Sequence, residues 1–272
     1  MEIIGEQLLA YYDADRQIMV LRESLAEGFK EKPQLLLYPD EASAVLVHEL
    51  AHALQDQRLG LRKLYKNLQS TDESLAFQSL VEGDATLAML AFTADLMGIS
   101  TEQMLAGLLA MKDKLAKIAM ASVPSKALRA APAIVQAQML APYADGTIYA
   151  AKLFKQGGWR AINRRYRKPP QSMAEIFHPK QSRKKSKRIE LPSGFADSTE
   201  LVILHQDTLG ELVFRVYFDQ ASDETEANLA AEGWLGDRVF VLKKANNDFG
   251  LLWISQWHSP SDLEQALRQC KK

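Results

Sequence analysis

Two histidines four positions apart enclose a glutamate in the segment His48-Glu49-Leu50-Ala51-His52. On an α-helix, positions i and i+4 lie above one another, so both imidazoles leave the same face and can bind one zinc ion. Glu49 leaves the helix about 100° around from His48, where it can act as a general base toward water without binding the metal. The motif therefore predicts a zinc site that activates water, with a pair of ordinary core histidines as the alternative.

The residues around this motif predict a single helix. Asp40 is a favourable N-cap, no glycine or proline interrupts Glu41–Gln57, and Gly60 follows as a stop. Apolar residues recur at helical spacing within the segment: Ala44, Val47, Leu50, Ala51 and Leu54. We expect this helix to be buried.

A catalytic zinc ion requires a third protein ligand and one open position. Glu82 is the better candidate because it lies in Asp72–Met97, a glycine-poor and largely apolar stretch that predicts a second buried helix. A carboxylate among apolar neighbours is costly unless it is paired or metal-bound. Gly83 weakens the helix by about 1 kcal/mol, and we expect it to permit close approach of the helix that carries His48. A surface glutamate beside a tolerated glycine is the alternative.

Two segments, His-Glu-Leu-Ala-His-Ala-Leu-Gln-Asp-Gln at 48–57 and Val-Glu-Gly-Asp-Ala at 81–85, together resemble the gluzincin class of zinc metallopeptidases. With Leu-Gln-Asp-Gln at 54–57 included, the pattern is similar to a little-characterised group of bacterial and archaeal gluzincin-like proteins. Further segments similar to that group are spread over most of the chain: 142–146, 158–163, 168–172, 176–179 and 233–238.

The resemblance implies one Zn²⁺ ion per chain, held by His48, His52 and Glu82, with Glu49 as the general base. It places the glutamate ligand on a helix that follows the motif helix.

Gluzincins generally use a tyrosine or histidine outside the zinc helix to stabilise the negative charge that develops on the substrate. Tyr143 and His178 are the candidates for this role, and a buried aromatic side chain and a capping imidazole are the respective alternatives. Asp84 is expected to orient a ligand histidine through its other ring nitrogen.

The composition is that of a globular protein, with 47% hydrophobic and 25% charged residues among 272. No run approaches the roughly 18 uncharged apolar residues of a membrane span, and the acidic N-terminal residues do not resemble a signal peptide. We therefore expect a cytoplasmic protein, or an extracytoplasmic one if the natural chain begins further upstream. The single cysteine, Cys270, excludes an internal disulfide.

The pattern of elements predicts an α+β fold with three parts: a mostly helical, zincin-like domain at 1–168, a basic connector at 169–192, and a small α+β subdomain at 193–272. Apolar arms at Leu9–Tyr12 and Gln17–Leu21 predict a hairpin, in which Tyr11–Leu21 could bind extended substrate or serve only as support. The helices predicted downstream are Thr101–Ala119, Pro124–Met139, Pro142–Gln156 and Trp159–Tyr166.

The C-terminal part mixes strand and helix patterns. Leu201–Leu204 is an apolar run, strands are predicted at Arg238–Leu242 and Gly250–Trp257, and helices are predicted at Ser222–Glu232 and Ser259–Gln269. Leu212–Phe218 fits either element.

Charge is uneven along the chain although the net charge is −1. Residues 152–188 hold 13 of the 33 lysines and arginines and one acid, Glu175. The basic run 181–188 could contact nucleic acid or anionic lipid, but it carries no interleaved aromatic residues, and a solvated loop is favoured. No nucleic-acid partner and no membrane span are therefore expected.

Together these patterns predict a zinc-dependent peptidase that acts on a peptide or protein substrate. A zinc-containing binding or structural module, closed by a fourth ligand such as His178, and a nucleic-acid-associated protein are the alternatives.

Overall fold

The computed structural model describes residues 9–31, 40–122, 125–179, 189–191, 201–244 and 247–270. The chain divides into two compact units, one formed by residues 1–68 and 76–170 and the other by residues 69–75 and 171–272. The described residues are mostly helical, with a two-stranded and a three-stranded antiparallel sheet, which confirms the predicted α+β class. The change of unit after Pro170 lies near the predicted boundary at 168, whereas residues 69–75 group with the C-terminal unit. The basic run 181–188 lies outside the described residues.

The first unit combines a short hairpin with a series of helices. Its described elements are β1 (Ala10–Asp13), β2 (Ile18–Leu21), α1 (Glu23–Glu31), α2 (Glu41–Leu59), α3 (Leu61–Lys66), most of α4 (Thr71–Leu96), α5 (Thr101–Ala110), a 3₁₀ turn (Lys112–Lys114), α6 (Leu115–Ser122), α7 (Lys126–Arg129) and α8 (Ala133–Arg165). Strands β1 and β2 pair antiparallel as predicted, with Tyr11 opposite Val20 and Tyr12 opposite Met19.

Helix α2 begins and ends at the predicted residues. The Asp40 side chain accepts a hydrogen bond from the Ser43 amide at 2.8 Å, and Gly60 ends the helix in the left-handed region at φ 64°. The expectation of a buried helix was wrong, because Leu50 and Leu54 are 48% and 55% exposed. The motif helix thus has one face on the protein interior and one in solvent.

Helices α4 and α8 supply most of the core of the first unit. Fully buried residues on these helices include Ala76, Phe77, Leu80, Ala85, Ala150, Ala151 and Ile162. By length and composition α4 could cross a membrane, a test that buried core helices also pass, and 50% of its most apolar window is buried within the protein.

Two interruptions were predicted in the helical segment 124–166, and the structure lacks the one before Pro142 but has the one at Gly157 and Gly158. Helix α8 continues through Pro142, and its one irregularity among the described residues lies at Gly157 and Gly158, where the backbone leaves helical geometry. An internal proline costs about 3 kcal/mol by removing a hydrogen bond and crowding the preceding turn. Ala141, Pro142 and Ala144 are all buried, so packing of this turn offsets that cost.

The second unit is the α+β part. Its described elements are α9 (Met173–Phe177), β3 (Leu201–Asp207), α10 (Gly210–Asp219), α11 (Glu224–Glu232), β4 (Trp234–Lys244), β5 (Phe249–Trp257) and α12 (Pro260–Cys270). The sheet order is β3-β4-β5, antiparallel throughout. Leu212–Phe218, which the sequence left open, is helical within α10.

Helices and sheet enclose an aromatic core in this second unit. Phe214 stacks on Trp253 with ring centroids 4.3 Å apart and meets Trp257 edge-on at 5.3 Å. Three alanines of α11, Ala227, Ala230 and Ala231, are buried in the same cluster. Small residues on α11 and large rings on α10 and β5 therefore fill this core together.

Buried carboxylates also pack inside the second unit. Asp72 accepts a hydrogen bond from the Met173 amide at 2.9 Å, and Asp237 accepts from the Gly210 amide at 2.9 Å and the Trp253 indole at 2.8 Å. Gly210 has a φ of 83°, and a Cβ there would overlap the Asp72 carboxyl group. Burial raises the pKa of Asp72 well above its usual range, and the nearby Asp237 adds to this effect.

Candidate metal centre

Helix α2 presents the two histidines of the motif as the i, i+4 spacing requires. The Nε2 atoms of His48 and His52 lie 3.0 Å apart, and the two rings meet nearly at right angles with centroids 4.6 Å apart. Each imidazole therefore aims the same nitrogen at one point beside the helix.

Glu82 reaches that point from α4. Its Oε2 atom lies 3.1 Å from Nε2 of His48 and 3.3 Å from Nε2 of His52. The structure thus brings together the three residues that the sequence predicted as ligands, and it does so through one atom of each.

The size of this triangle is close to that of a zinc site. Nitrogen and carboxylate oxygen ligands that bind zinc at 2.0–2.2 Å in tetrahedral geometry lie about 3.3–3.6 Å from one another. The three observed separations are 3.0, 3.1 and 3.3 Å. Among the described residues, the potential ligand cluster contains His48, His52 and Glu82 and no fourth histidine, cysteine or carboxylate.

The electrostatics of the cluster favour a charged carboxylate. Burial opposes ionisation of Glu82, but the hydrogen bonds from His48 and His52 outweigh it and lower its pKa to about 2. Burial is the largest single influence on His52 and lowers its pKa, but the contacts with Glu82 and Gln55 and the charge of Glu49 together outweigh it, so the net shift of the pKa is upward. Metal binding at this point would require both histidines in their neutral form, with the positive charge of the ion beside the ionised Glu82.

Glu49 is held by the N-terminal hairpin. The backbone N–H of Tyr12 on β1 donates to Oε2 of Glu49 at 2.8 Å. The Tyr12 hydroxyl donates to Oδ2 of Asp56, two turns further along α2, at 3.1 Å. Strand β1 is therefore tied to the motif helix at two points, and one of them is the candidate base.

Tyr143 lies beside the cluster, on α8. Its ring is roughly parallel to that of His48 with centroids 6.3 Å apart, and its hydroxyl lies near enough to Glu82 for that carboxylate to raise its pKa. The residue as a whole is 44% exposed, which places the ring at the rim of the site. Local burial and the charges of Glu82 and Glu49 raise the pKa of this phenol, so it keeps its proton at neutral pH.

His178, the other candidate for charge stabilisation, has a different environment. It lies at the C-terminal end of α9 in the second unit, where Nε2 is 2.8 Å from Oε1 of Glu211 and Nδ1 is 3.7 Å from Oε1 of Glu232. Arg215 also binds Glu211, at 2.7 Å. Both ring nitrogens thus face carboxylates of its own unit, and the role of His178 as a catalytic donor or fourth ligand stays a prediction. His178 caps α9 through its backbone N–H, which donates to the Ala174 carbonyl oxygen, whereas its imidazole pairs with the two carboxylates.

Asp84 reaches the candidate ligand His52 through Gln55, a contact that the sequence did not indicate. Nδ1 of His52 is 2.9 Å from Oε1 of Gln55, and Nε2 of Gln55 donates to Oδ2 of Asp84 at 2.9 Å. The Tyr166 hydroxyl donates to the same oxygen of Asp84 at 2.9 Å. The expected direct contact of Asp84 with a ligand histidine is therefore replaced by a relay, because Gln55 occupies the space between them.

Three residues of the site were missed in the sequence: Tyr12, Gln55 and Tyr166. Gln55 did carry a signal, since it lies three positions after His52 and hence on the same helix face. Tyr12 and Tyr166 carried none, because their partners come from elements distant in the chain. Tyr65 is a further tyrosine close enough to Glu82 to respond to its charge: burial and that charge raise the pKa of Tyr65.

Comparisons with known proteins bear on the second unit alone. Residues 200–271 match the domain of unknown function DUF8575. The matched segment covers β3 to α12 and contains none of the residues of the candidate metal centre. Searches among curated proteins and among solved structures found no match.

Proposed function

We propose that this protein is a zinc-dependent peptidase whose metal ion is held by His48, His52 and Glu82. The observation that carries the proposal is the triangle of two Nε2 atoms and one carboxylate oxygen, with sides of 3.0 to 3.3 Å. The two histidines share their helix with Glu49, a glutamate outside the triangle. The gluzincin-like motifs at 48–57 and 81–85 supply the same residues independently of the geometry.

The number of ligands favours a catalytic over a structural site. Structural zinc ions usually have four protein ligands, whereas catalytic ones have three and keep a position for water or substrate. Among the described residues the cluster stops at three, and His178, the candidate fourth ligand, is paired with Glu211. A purely structural zinc module is therefore the weaker interpretation.

Zinc at this position would polarise the scissile carbonyl group and acidify a water molecule. Glu49 would accept the proton of the attacking water and deliver it to the leaving amine. The Tyr12 amide holds Oε2 of Glu49, so Oε1 is the oxygen that would carry this proton. Tyr143, protonated at neutral pH, is the donor placed to stabilise negative charge on the substrate oxygen.

The hairpin gives the site a side on which an extended peptide could lie. Strand β1 faces α2 and contacts Glu49 through a main-chain N–H group. A substrate that paired with this strand would be held by backbone hydrogen bonds close to the base. The proposed substrate is therefore a polypeptide, and no specificity for its side chains is assigned.

The test combines metal content with hydrolysis. The purified wild-type protein should contain about one zinc ion per chain, as three-ligand catalytic sites do, and cleave a mixture of fluorogenic peptides. Glu49→Gln should keep its zinc, since Glu49 is outside the ligand cluster, and should lose activity by about 10²-fold or more.

Glu41→Gln is the matched control, because Glu41 is an exposed residue at the start of the same helix. It should behave like the wild type in both measurements. A wild-type protein that neither contains nor takes up zinc would contradict the proposed function. Zinc binding with no hydrolysis would favour the binding module instead.

A further inference from the structure

Gln55 is a buried residue that contacts both His52 and helix α4. It is 6% exposed and lies one turn after His52 on α2. Its side-chain oxygen faces Nδ1 of His52 at 2.9 Å, and its side-chain nitrogen donates to the carbonyl oxygen of Val81 at 3.0 Å and to Oδ2 of Asp84 at 2.9 Å. One amide thus connects the motif helix α2 with the segment of α4 that flanks Glu82.

These contacts allow a single orientation of the amide. Val81 offers a carbonyl oxygen, which can only accept, and an ionised Asp84 is also only an acceptor. Rotating the Gln55 amide by 180° would place its oxygen against both of them and its NH₂ group against His52. The carbonyl oxygen of Gln55 must therefore face the imidazole.

The orientation of the amide decides which nitrogen of His52 carries the proton. An amide oxygen can only accept, so Nδ1 of His52 must be the donor in this contact. In a neutral imidazole the other nitrogen, Nε2, then presents its lone pair. Nε2 is also the atom that faces Nε2 of His48 and Oε2 of Glu82.

We propose that Gln55 is a positioning residue that holds His52 in the tautomer and ring orientation required for metal binding, and that Asp84 and Tyr166 act on the metal centre through it. The inference rests on the proposed metal site but assigns a role that the peptidase proposal does not contain. Loss of an outer partner of a metal-bound histidine typically costs about 10–100-fold in metal affinity. We expect a loss of this size when the acceptor oxygen is removed.

The test uses Co²⁺ as the probe, in competition with a chelator, on the full-length protein. Gln55→Leu keeps a side chain of similar size without an acceptor and should bind Co²⁺ about 10–100-fold more weakly than the wild type. Its His52 Nδ1 proton, visible as a paramagnetically shifted NMR signal in the Co²⁺ form, should exchange with solvent faster. Gln57→Leu is the control, because Gln57 is an exposed residue on the same helix.

A double variant separates the proposed role from simple damage to the fold. Gln55→Glu with Asp84→Asn exchanges the polarity of the pair, so that the residue at 55 still accepts from His52 and the residue at 84 becomes the donor. It should regain part of the affinity that Gln55→Leu loses, although one of its oxygens now faces the Val81 carbonyl. An affinity of the double variant within about 10-fold of the wild type would support the role even if Gln55→Leu proves too unstable to measure.

The outcomes distinguish this inference from the proposed function. Wild-type affinity and wild-type proton exchange in Gln55→Leu would overturn the role of Gln55 and leave the metal site intact. Equal losses in Gln55→Leu and the double variant would also overturn it. Failure of the wild-type protein to bind Co²⁺ or Zn²⁺ would overturn both the metal site and the inference.

Discussion

Gly83 on α4 and Gly146 on α8 lie in direct backbone contact. A Cβ atom on Gly83 would overlap the main-chain carbonyl group of Gly146, and a Cβ on Gly146 would overlap the main chain of Ser79. The sequence predicted a close approach at Gly83, but to the motif helix, and the structure shows α8 as the partner. Because Glu82 precedes Gly83 and Tyr143 lies one turn before Gly146, this contact sets the distance between the candidate ligand Glu82 and the phenol beside it.

Replacement of Gly146 by alanine should therefore damage both stability and the site. The added methyl group has backbone atoms as neighbours, which cannot rotate away, so we expect the free energy of unfolding to fall by about 1–3 kcal/mol. Zinc affinity should fall as well, because α4 and α8 must separate. Urea denaturation and chelator competition measure the two effects.

Gly107→Ala supplies the control for this prediction. Gly107 is an exposed glycine within α5, and a Cβ there would meet no atom within 4 Å. Alanine at this position should leave zinc affinity unchanged and stabilise the helix by about 0.5–1 kcal/mol. Equal stability of the two variants would contradict the close packing of α4 on α8.

Sequence signals predicted the structure where the deciding contacts are local. Asp40 and Gly60 set the ends of α2 through hydrogen bonds and dihedral angles within one turn, and the spacing of His48 and His52 sets their common face. Pro142 misled the prediction of α8, since its local cost is offset by burial against residues distant in sequence.

The candidate site shows the same division between local and distant contacts. Glu82 was predicted because its motif and its apolar neighbours pointed to a ligand. Tyr12 and Tyr166 were missed, since they join the site through contacts 37 and 82 residues away in the chain. Asp84 was assigned the correct neighbourhood and the wrong contact, because no pattern in one sequence places Gln55 between it and His52.

Removal of the Glu82 carboxylate should abolish tight metal binding. Two histidines remain in Glu82→Ala, and a three-ligand site that loses a direct ligand should lose more affinity than the roughly 10–100-fold cost of an outer partner. Asp95→Asn, at an exposed position of the same helix, is the matched control. Zinc content near one per chain in Glu82→Ala after dialysis against a weak chelator would show that Glu82 is not a ligand.

Asp72 should make the second unit less stable as the pH rises. Burial, and then the charge of Asp237, raises the pKa of Asp72 in the folded protein above its unfolded value of about 3.9. Its contribution to stability is therefore present below the unfolded pKa and is lost as the pH rises through the folded pKa. Over that window the folded state binds up to one additional proton, which lowers the free energy of unfolding by up to about 1.4 kcal/mol per pH unit.

Asp72→Asn should remove this part of the pH dependence. The amide keeps an oxygen for the Met173 N–H and has no charge to bury. Three of the protein's four tryptophans, Trp234, Trp253 and Trp257, lie in the second unit, so tryptophan fluorescence reports its unfolding at each pH. Asp219→Asn, an exposed position in the same unit, should retain the wild-type slope, and an identical slope for Asp72→Asn would contradict the raised pKa.

Tyr143→Phe distinguishes two roles for the phenol beside the ligands. If its hydroxyl stabilises negative charge on the substrate, kcat should fall about 10²–10³-fold with little change in metal affinity. If its hydroxyl mainly positions the nearby Glu82, metal affinity should fall and activity should return when zinc is added in excess. We expect the first result, because the hydroxyl stays protonated beside two carboxylates and the ring lies at the rim of the site. Steady-state kinetics at saturating zinc, with the exposed Tyr217→Phe of the second unit as control, measure the difference, and full activity in Tyr143→Phe would exclude both roles.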